Sequence, residues 1–149
     1  ESQLDQSQRS PRWAVGIMQL LPSTSADKAV GISGIDKSAE RNIEAGAKYL
    51  NYLSTRYVDD PALTPINRML FTIAAYNAGP GNLRKFRREA SRMGLDPNVW
   101  FGNVENGAAK IVGRETVQYV GNIYKYYIAY KLYFERRNGA PSAATATTN

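Results

Sequence analysis

Acid–base chemistry in this chain must come from carboxylates, tyrosines or lysines, because its 149 residues include no histidine and no cysteine. Those absences exclude a thiol nucleophile, a disulfide framework, a Cys/His zinc site and any triad with an imidazole base. Two segments place polar side chains beside permissive backbone: residues 1–24 set Gln19 in a glycine-led apolar turn, and Tyr76 and Asn77 precede the sequence AGPG. Such groups can line a cleft, although Gln19 and Asn77 would serve equally as capping amides and Tyr76 as a core aromatic.

The elements that position these segments are predicted to be helices. Apolar residues recur at spacings of three and four, and the alternation typical of strands is almost absent. The pattern predicts a mainly α domain with helices over 23–30, 38–58, 65–78, 82–93, 104–112 and 115–136.

Two of these helices carry apolar stripes that are predicted to face the core. In the helix over 38–58 the stripe consists of Ile43, Ala47, Leu50, Leu53 and Tyr57. In the last helix it consists of Val120, Ile123, Tyr127, Tyr130 and Phe134, so most of the tyrosines there are expected to be buried.

Composition predicts one globular domain, with 43% hydrophobic residues and a formal net charge of +6. We expect this domain to span residues 1–138, followed by a disordered tail over 139–149 that lacks large apolar groups. The positive charge suits nucleic acid, acidic lipid or a carboxylate-bearing cell-wall polymer, and charge alone selects none of them.

Four sequence blocks occur in a characteristic order. They are Glu1-Ser2, GIMQ at 16–19 followed by PST at 22–24, AYNAGPG at 75–81 and ETVQYV at 115–120. With these blocks the chain resembles the soluble lytic transglycosylase (SLT) family, the lysozyme-like domains that cleave bacterial peptidoglycan, over nearly all residues up to Leu132. Within the family it is most similar to the membrane-bound lytic murein transglycosylase F type, on stretches such as GLDPNVWFGNVE and GRETVQYVGNIYKYYIAY.

The resemblance implies a lysozyme-like, goose-type helical domain with a glycan-binding groove. Glu1 matches the family's single catalytic glutamate, which protonates the glycosidic oxygen between N-acetylmuramic acid (MurNAc) and N-acetylglucosamine (GlcNAc). The same group then takes the proton of the muramyl C6 hydroxyl, giving a 1,6-anhydro end. The positions that match substrate-binding residues are Ser10, Gln19, Tyr76, Asn77, Glu115 and Tyr119. Because the family places its glutamate near the end of a helix, the chain is expected to be N-terminally truncated and weakly active or inactive.

The resemblance also implies peptidoglycan strands as the partner, no nucleic acid, no cofactor or metal, and a monomer. It implies a location in the periplasm or at the periplasmic face of the outer membrane, with membrane association only through segments outside this chain. Three alternatives stay open: a lysozyme-type hydrolase in which water attacks C1, a non-catalytic peptidoglycan-binding module, and a basic helical nucleic-acid binder. Trp13, Trp100 and Phe101 are candidates for sugar stacking, although core packing is the commoner role of a large aromatic residue.

Overall fold

The computed structural model describes residues 5–139, which form six α-helices and no β-strand. The helices are α1 (Pro22–Ala26), α2 (Ala39–Tyr57), α3 (Pro65–Ala78), α4 (Pro80–Arg92), α5 (Glu105–Val112) and α6 (Glu115–Gly139). The mainly α class is confirmed, and each helix after the first lies close to its predicted range. The first is a single turn and not the longer helix expected over 23–30. Glu1 lies outside the described residues, as does the predicted tail over 139–149 apart from Gly139, which ends α6.

Local sequence signals set the helix ends that matter for the site. Ser38 caps α2 by accepting a hydrogen bond from Arg41 N, and Thr64 caps α3 by accepting one from Asn67 N. Gly79 separates α3 from α4 with a φ of 86°, in the left-handed region that favours glycine. The chain therefore turns sharply just after the polar end of α3.

The main hydrophobic core is built around α3. Leu70, Phe71 and Ala74 of α3 pack with buried side chains from α2, α4, α5 and α6. Trp100, in the irregular turn before α5, is fully buried, and its ring meets that of Phe71 edge to face with 6.2 Å between centroids. The proposal that Trp100 stacks on sugar is therefore wrong, because its ring is already enclosed by protein.

A second, smaller core joins the N-terminal loops to α2. It contains Val15, Leu20, Val30, Ile32, Ile35 and Ala45. Tyr49 of α2 and Tyr76 of α3 pack against both cores. These two tyrosines thus lie where the loop layer meets the helical bundle.

The face of α2 that was predicted to point toward the core is wrong, because a different face of the helix is buried. Ile43 is 47% exposed and Tyr57 39% exposed, whereas the buried residues include Asn42 and Gly46. The N-terminal loops pack on the face that carries Asn42, because its amide bonds to their backbone. Leu53 is the member of the predicted stripe that is buried.

The stripe predicted for α6 is correct only in the first half of the helix. Val120 is fully buried, but Tyr127, Tyr130 and Phe134 are 41%, 65% and 54% exposed. Every described side chain beyond Ile128 is exposed, because α6 there extends past the helices that it packs against. The expectation that most of its tyrosines are buried is therefore wrong. Within residues 5–139, neither α6 nor any other helix has the combined length and apolar character that crossing a membrane requires.

Candidate active site

A groove of about 730 Å³ lies between the N-terminal loop, the end of α3 and the start of α6. Its wall includes all six predicted substrate-binding residues, namely Ser10, Gln19, Tyr76, Asn77, Glu115 and Tyr119. These residues come from three distant parts of the sequence and meet only through the fold. Glu1, the predicted catalytic residue, lies outside the described part of the chain.

A tight turn over residues 16–19 contributes Gln19 to the groove wall. Val15 and Leu20 close it by exchanging backbone hydrogen bonds of 3.0 and 3.2 Å. Gln19 has a φ of 46°, which is uncommon for a residue with a side chain. Both its backbone N and its Nε2 donate to Gly16 O, at 3.1 and 2.9 Å. Its Oε1 accepts no hydrogen bond from the described residues.

Asn42 holds this turn against α2 and was missed by the sequence analysis. Its side chain is fully buried, and its Oδ1 accepts from Met18 N at 2.7 Å. Its Nδ2 donates to Val15 O at 2.9 Å and to Ile35 O at 3.1 Å. On the other side, the Tyr76 hydroxyl donates to Met18 O at 2.9 Å. The peptide groups of Met18 are therefore fixed by α2 and α3 together.

Two glycines make this close approach possible. A Cβ at Gly46 would lie 2.7–2.9 Å from side-chain atoms of Met18, and one at Gly16 would lie 2.5–2.7 Å from the Asn42 amide. Asn42 and Gly46 are one helical turn apart and therefore share a face of α2. An amide and a glycine in this spacing, within an otherwise amphipathic helix, are the sequence signal that could have located the buried face.

Burial keeps Tyr76 a neutral hydrogen-bond donor. Loss of water around its hydroxyl raises its pKa well above the ordinary value, and the hydroxyls of Tyr119 and Tyr49 raise it further. Its ring lies 5.4 Å from that of Tyr49. Tyr76 therefore orients the Met18 carbonyl at every pH at which the protein is expected to work.

Asn77 connects the end of α3 to the first turn of α6. The buried Thr116 hydroxyl donates to Asn77 Oδ1 at 2.8 Å, while Asn77 Nδ2 donates to no described residue. Glu115 precedes Thr116, is exposed, and is the only acidic residue among the described residues of the groove wall. A carboxylate in a first helical turn also stabilises the helix through its dipole, by about 0.3–1 kcal/mol, whatever its function.

The part of the groove wall that residues 9–12 form, next to the turn over residues 16–19, is basic. Ser10 Oγ accepts from Ala14 N at 3.0 Å, which closes a turn, and Arg9 and Arg12 flank Ser10 in the groove wall. Trp13 is 79% exposed and Phe101 packs on the Tyr124 ring, but neither belongs to the groove wall. Their proposed stacking role therefore gains no support from this groove.

A larger cavity of about 860 Å³ lies across Tyr76 and Tyr119, between α2, α3 and α6. Leu50, Met69 and Ile73 give it a mainly apolar wall without a carboxylate. Hydroxyl-rich ligands need polar partners, so the groove is the better candidate site although it is the smaller of the two. Across residues 5–139, no group of three or more Asp or Glu side chains is arranged to hold a metal ion.

The sequence profile of the transglycosylase SLT domain matches residues 1–97, about two thirds of the chain. The chain belongs to the SLT domain family. This matched region includes Ser10, Gln19, Tyr76 and Asn77, whereas Glu115 and Tyr119 lie beyond it. The resemblance stated from the four sequence blocks is thereby confirmed.

Several relatives of this SLT domain belong by name to the transglycosylase F type that the sequence blocks resemble. A membrane-bound lytic murein transglycosylase F from Shewanella woodyi is 34% identical over 142 residues, which cover 85% of this chain and 28% of the relative. The protein of the same name from Desulfosudis oleivorans is 33% identical over 143 residues, covering 85% and 30%. That from Pseudomonas fluorescens is 34% identical over 127 residues, covering 75% and 25%. The chain thus spans less than a third of the length of these relatives.

Proposed function

We propose that this SLT domain is a peptidoglycan lytic transglycosylase. It cleaves the β-1,4 bond between MurNAc and GlcNAc and leaves a 1,6-anhydro ring on the muramyl sugar. The observation that carries the proposal is the groove, in which six residues implied by the family resemblance converge from three parts of the chain. Family membership and the murein transglycosylase names of the relatives support the choice of substrate.

We assign the proton transfers to Glu1. As an acid it protonates the glycosidic oxygen while the bond from C1 to that oxygen breaks. As a carboxylate it then removes the proton of the C6 hydroxyl while the C6 oxygen bonds to C1. One carboxylate suffices because the nucleophile belongs to the substrate, and no water is consumed. A general acid of this kind must stay protonated near neutral pH, which apolar surroundings favour because they disfavour the charged form.

Binding is assigned to groups that hold fixed positions before substrate arrives. Gln19 Oε1 offers an acceptor and Asn77 Nδ2 a donor, the pair of functions that an N-acetyl amide requires. The left-handed backbone of Gln19 supports this role, because such strain recurs at functional sites. Ser10, Tyr76 and Glu115 extend the polar wall on either side, and Tyr119 is assigned to contact the catalytic carboxylate.

We further propose that the domain acts in the periplasm, including the periplasmic face of the outer membrane, as a monomer. Peptidoglycan lies outside the cytoplasmic membrane, and the relatives named above are described as membrane-bound. Any membrane attachment is assigned to segments outside this chain.

Mass spectrometry of the soluble products from purified peptidoglycan tests the proposal. We expect anhydro-muropeptides, which are lighter by one water than hydrolysed products. Reducing ends would instead identify a hydrolase, and glycan binding without new chain ends would identify a binding module. The same measurement on any longer natural form of the protein tests the expectation that this chain alone is weakly active or inactive.

Glu1→Gln tests the assignment of the acid–base group. It keeps size and shape but cannot transfer the proton, so turnover should vanish while glycan binding is retained. Glu115→Gln is the matched control, because it makes the same change at a carboxylate of the groove wall and should raise KM while turnover stays measurable. Near-normal turnover by Glu1→Gln would refute the assignment.

A further inference from the structure

A smaller cavity of about 290 Å³, here called the side pocket, adjoins the groove. Thr24 and Tyr49 line both spaces. The remaining wall comes from α1 and the turn after it, from α2 and from Pro80. A ligand in the groove could therefore extend a branch into the side pocket.

Three tyrosines of α2 form one wall of the side pocket. The rings of Tyr49 and Tyr52 are nearly parallel with centroids 6.5 Å apart, and those of Tyr52 and Tyr57 meet edge to face at 5.7 Å. The hydroxyl oxygens of Tyr52 and Tyr57 are 3.5 Å apart. Aromatic faces carry negative charge density, which attracts cations.

The turn after α1 contributes a carboxylate to the side pocket, that of Asp27, which has no cationic partner among the described residues. Asp27 is exposed, and its Oδ1 accepts from Ala29 N at 2.9 Å. It forms no ion pair with a described residue.

The charge of Asp27 reaches the tyrosine wall. Burial raises the pKa of Tyr49 most, and the Tyr57 hydroxyl and the Asp27 carboxylate add to the increase. For Tyr52 the hydrogen bond to Tyr57 is the main cause of a raised pKa, with Asp27 again contributing. Arg56 opposes these effects at Tyr52 but does not line the side pocket.

We propose that the side pocket binds a primary ammonium group on an alkyl chain. Aromatic faces and an unpaired carboxylate are together the partners that such a cation prefers. The volume lies just below the usual range of about 300–1,000 Å³ for ligand pockets, which suits one extended side chain. The source of the ligand rests on the proposed function: uncross-linked peptide branches of peptidoglycan carry a diamino acid with a free ammonium, and the glycan would lie in the adjoining groove.

Two small probes test the binding chemistry without any need for catalysis. Nα-acetyl-lysine amide carries the ammonium, and its Nε-acetylated form has the same chain without the charge. Titration followed by tyrosine ring signals in NMR should show weak, saturable binding of the first probe and at least threefold weaker binding of the second. Equal binding of both, or no binding of either at the highest soluble concentration, would overturn the proposal.

Variants assign the binding to the side pocket. Asp27→Asn keeps an oxygen for Ala29 N but removes the charge, so it should weaken the charged probe about threefold or more. Tyr52→Leu should weaken binding of the charged probe by a similar factor. Tyr52→Phe should weaken it less, because this variant keeps the aromatic ring. Asp36→Asn is the control, because Asp36 is also exposed and lies outside the side pocket. Equal losses from Asp27→Asn and Asp36→Asn would locate the binding elsewhere.

Peptidoglycan with acetylated amines separates this proposal from the proposed function. Native material should be processed with a higher kcat/KM than acetylated material, and Asp27→Asn should remove that preference. Absence of anhydro products both from this chain and from any longer natural form of the protein would refute the transglycosylase and leave the probe titrations valid. Anhydro products with no preference for free amines would refute the role of the side pocket in the reaction and leave the enzyme assignment intact.

Discussion

Asn42→Leu tests whether one buried amide holds the turn over residues 16–19 in place. The substitution keeps roughly the size of the side chain but removes one acceptor and two donor bonds. Met18 N then loses its Asn42 Oδ1 acceptor, whereas the two carbonyls are less affected. Val15 O also accepts from Leu20 N at 3.2 Å, and Ile35 O also accepts from the Gln6 amide at 2.7 Å.

The expected decrease in the free energy of unfolding follows from the loss of these three hydrogen bonds, which do not contribute equally. A buried N–H left without a partner costs about 1–3 kcal/mol, and each hydrogen bond lost at a carbonyl costs about 0.5–1.5 kcal/mol. The sum predicts that the free energy of unfolding falls by about 4 kcal/mol. For a domain of this size each 1 kcal/mol lowers Tm by about 2–4 °C, so we expect a decrease of roughly 10 °C.

Urea unfolding followed by circular dichroism measures this loss. Asn51→Leu is the control, since Asn51 lies on the same helix with an exposed side chain and should change stability by less than about 0.5 kcal/mol. If Asn42→Leu cost no more than Asn51→Leu, the turn would be held by its own backbone bonds and the reasoning would be refuted.

Asn42→Asp adds a dependence on pH with a definite sign. A carboxylate there would face the Val15 and Ile35 carbonyl oxygens, so burial and these oxygens raise its folded-state pKa above the unfolded value of about 3.9. The folded state then binds more protons than the unfolded state, and stability falls as pH rises from about 4 through the folded-state pKa. Relative to the parent chain, the variant should lose more stability at pH 7 than at pH 4, and a loss independent of pH would contradict this geometry.

Three further substitutions test contacts around the site and the core. Gly46→Ala should displace the Met18 side chain, because a new Cβ would lie 2.7 Å from it. The free energy of unfolding should fall by a net of about 0–2 kcal/mol, since the gain in helix propensity offsets part of the strain. Unchanged NMR shifts of Met18 would contradict this prediction. Tyr76→Phe should cost about 1 kcal/mol in urea unfolding and lower kcat/KM, since the Met18 carbonyl loses its donor. Arg87→Met removes the main cause of the lowered pKa of Asp60. Because that pKa is lowered on folding, the ion pair stabilises the protein above about pH 4, and this stabilisation is lost as pH falls through the folded-state pKa. The difference in stability between the variant and the parent should therefore be smaller at about pH 3 than at about pH 7.

The helices were predictable because their signals are local. Thr64 followed by Pro65 marks the start of α3, and the GPG sequence marks its end, whatever the rest of the chain does. Gln19 and Asn77 of the groove were predictable because they lie in two of the sequence blocks typical of the family. The glycines of those blocks also indicate unusual backbone conformations. That Gln19 and Asn77 share one cavity wall required the tertiary fold.

The buried face of α2 was not predictable from periodicity. Ile43 and Leu53 lie within one apolar stripe, yet Ile43 is exposed and Leu53 is buried. The orientation of the helix is set by Asn42, whose partners lie 7, 24 and 27 residues away along the chain. Hydrophobic periodicity contains no information about hydrogen bonds across such separations.

Shared support of Met18 makes the groove sensitive to the packing of two helices. Its peptide N–H is held by Asn42 of α2 and its carbonyl by Tyr76 of α3. Tyr76 also lines the groove and packs against both cores. Because α2 and α3 each hold Met18 by one hydrogen bond, a small shift of one helix relative to the other must either break one of these bonds or move the turn that carries Gln19. Substitutions in the interface between α2 and α3 should therefore change substrate binding without any contact to substrate, and their effects should not add to that of Tyr76→Phe, because both act through the same carbonyl.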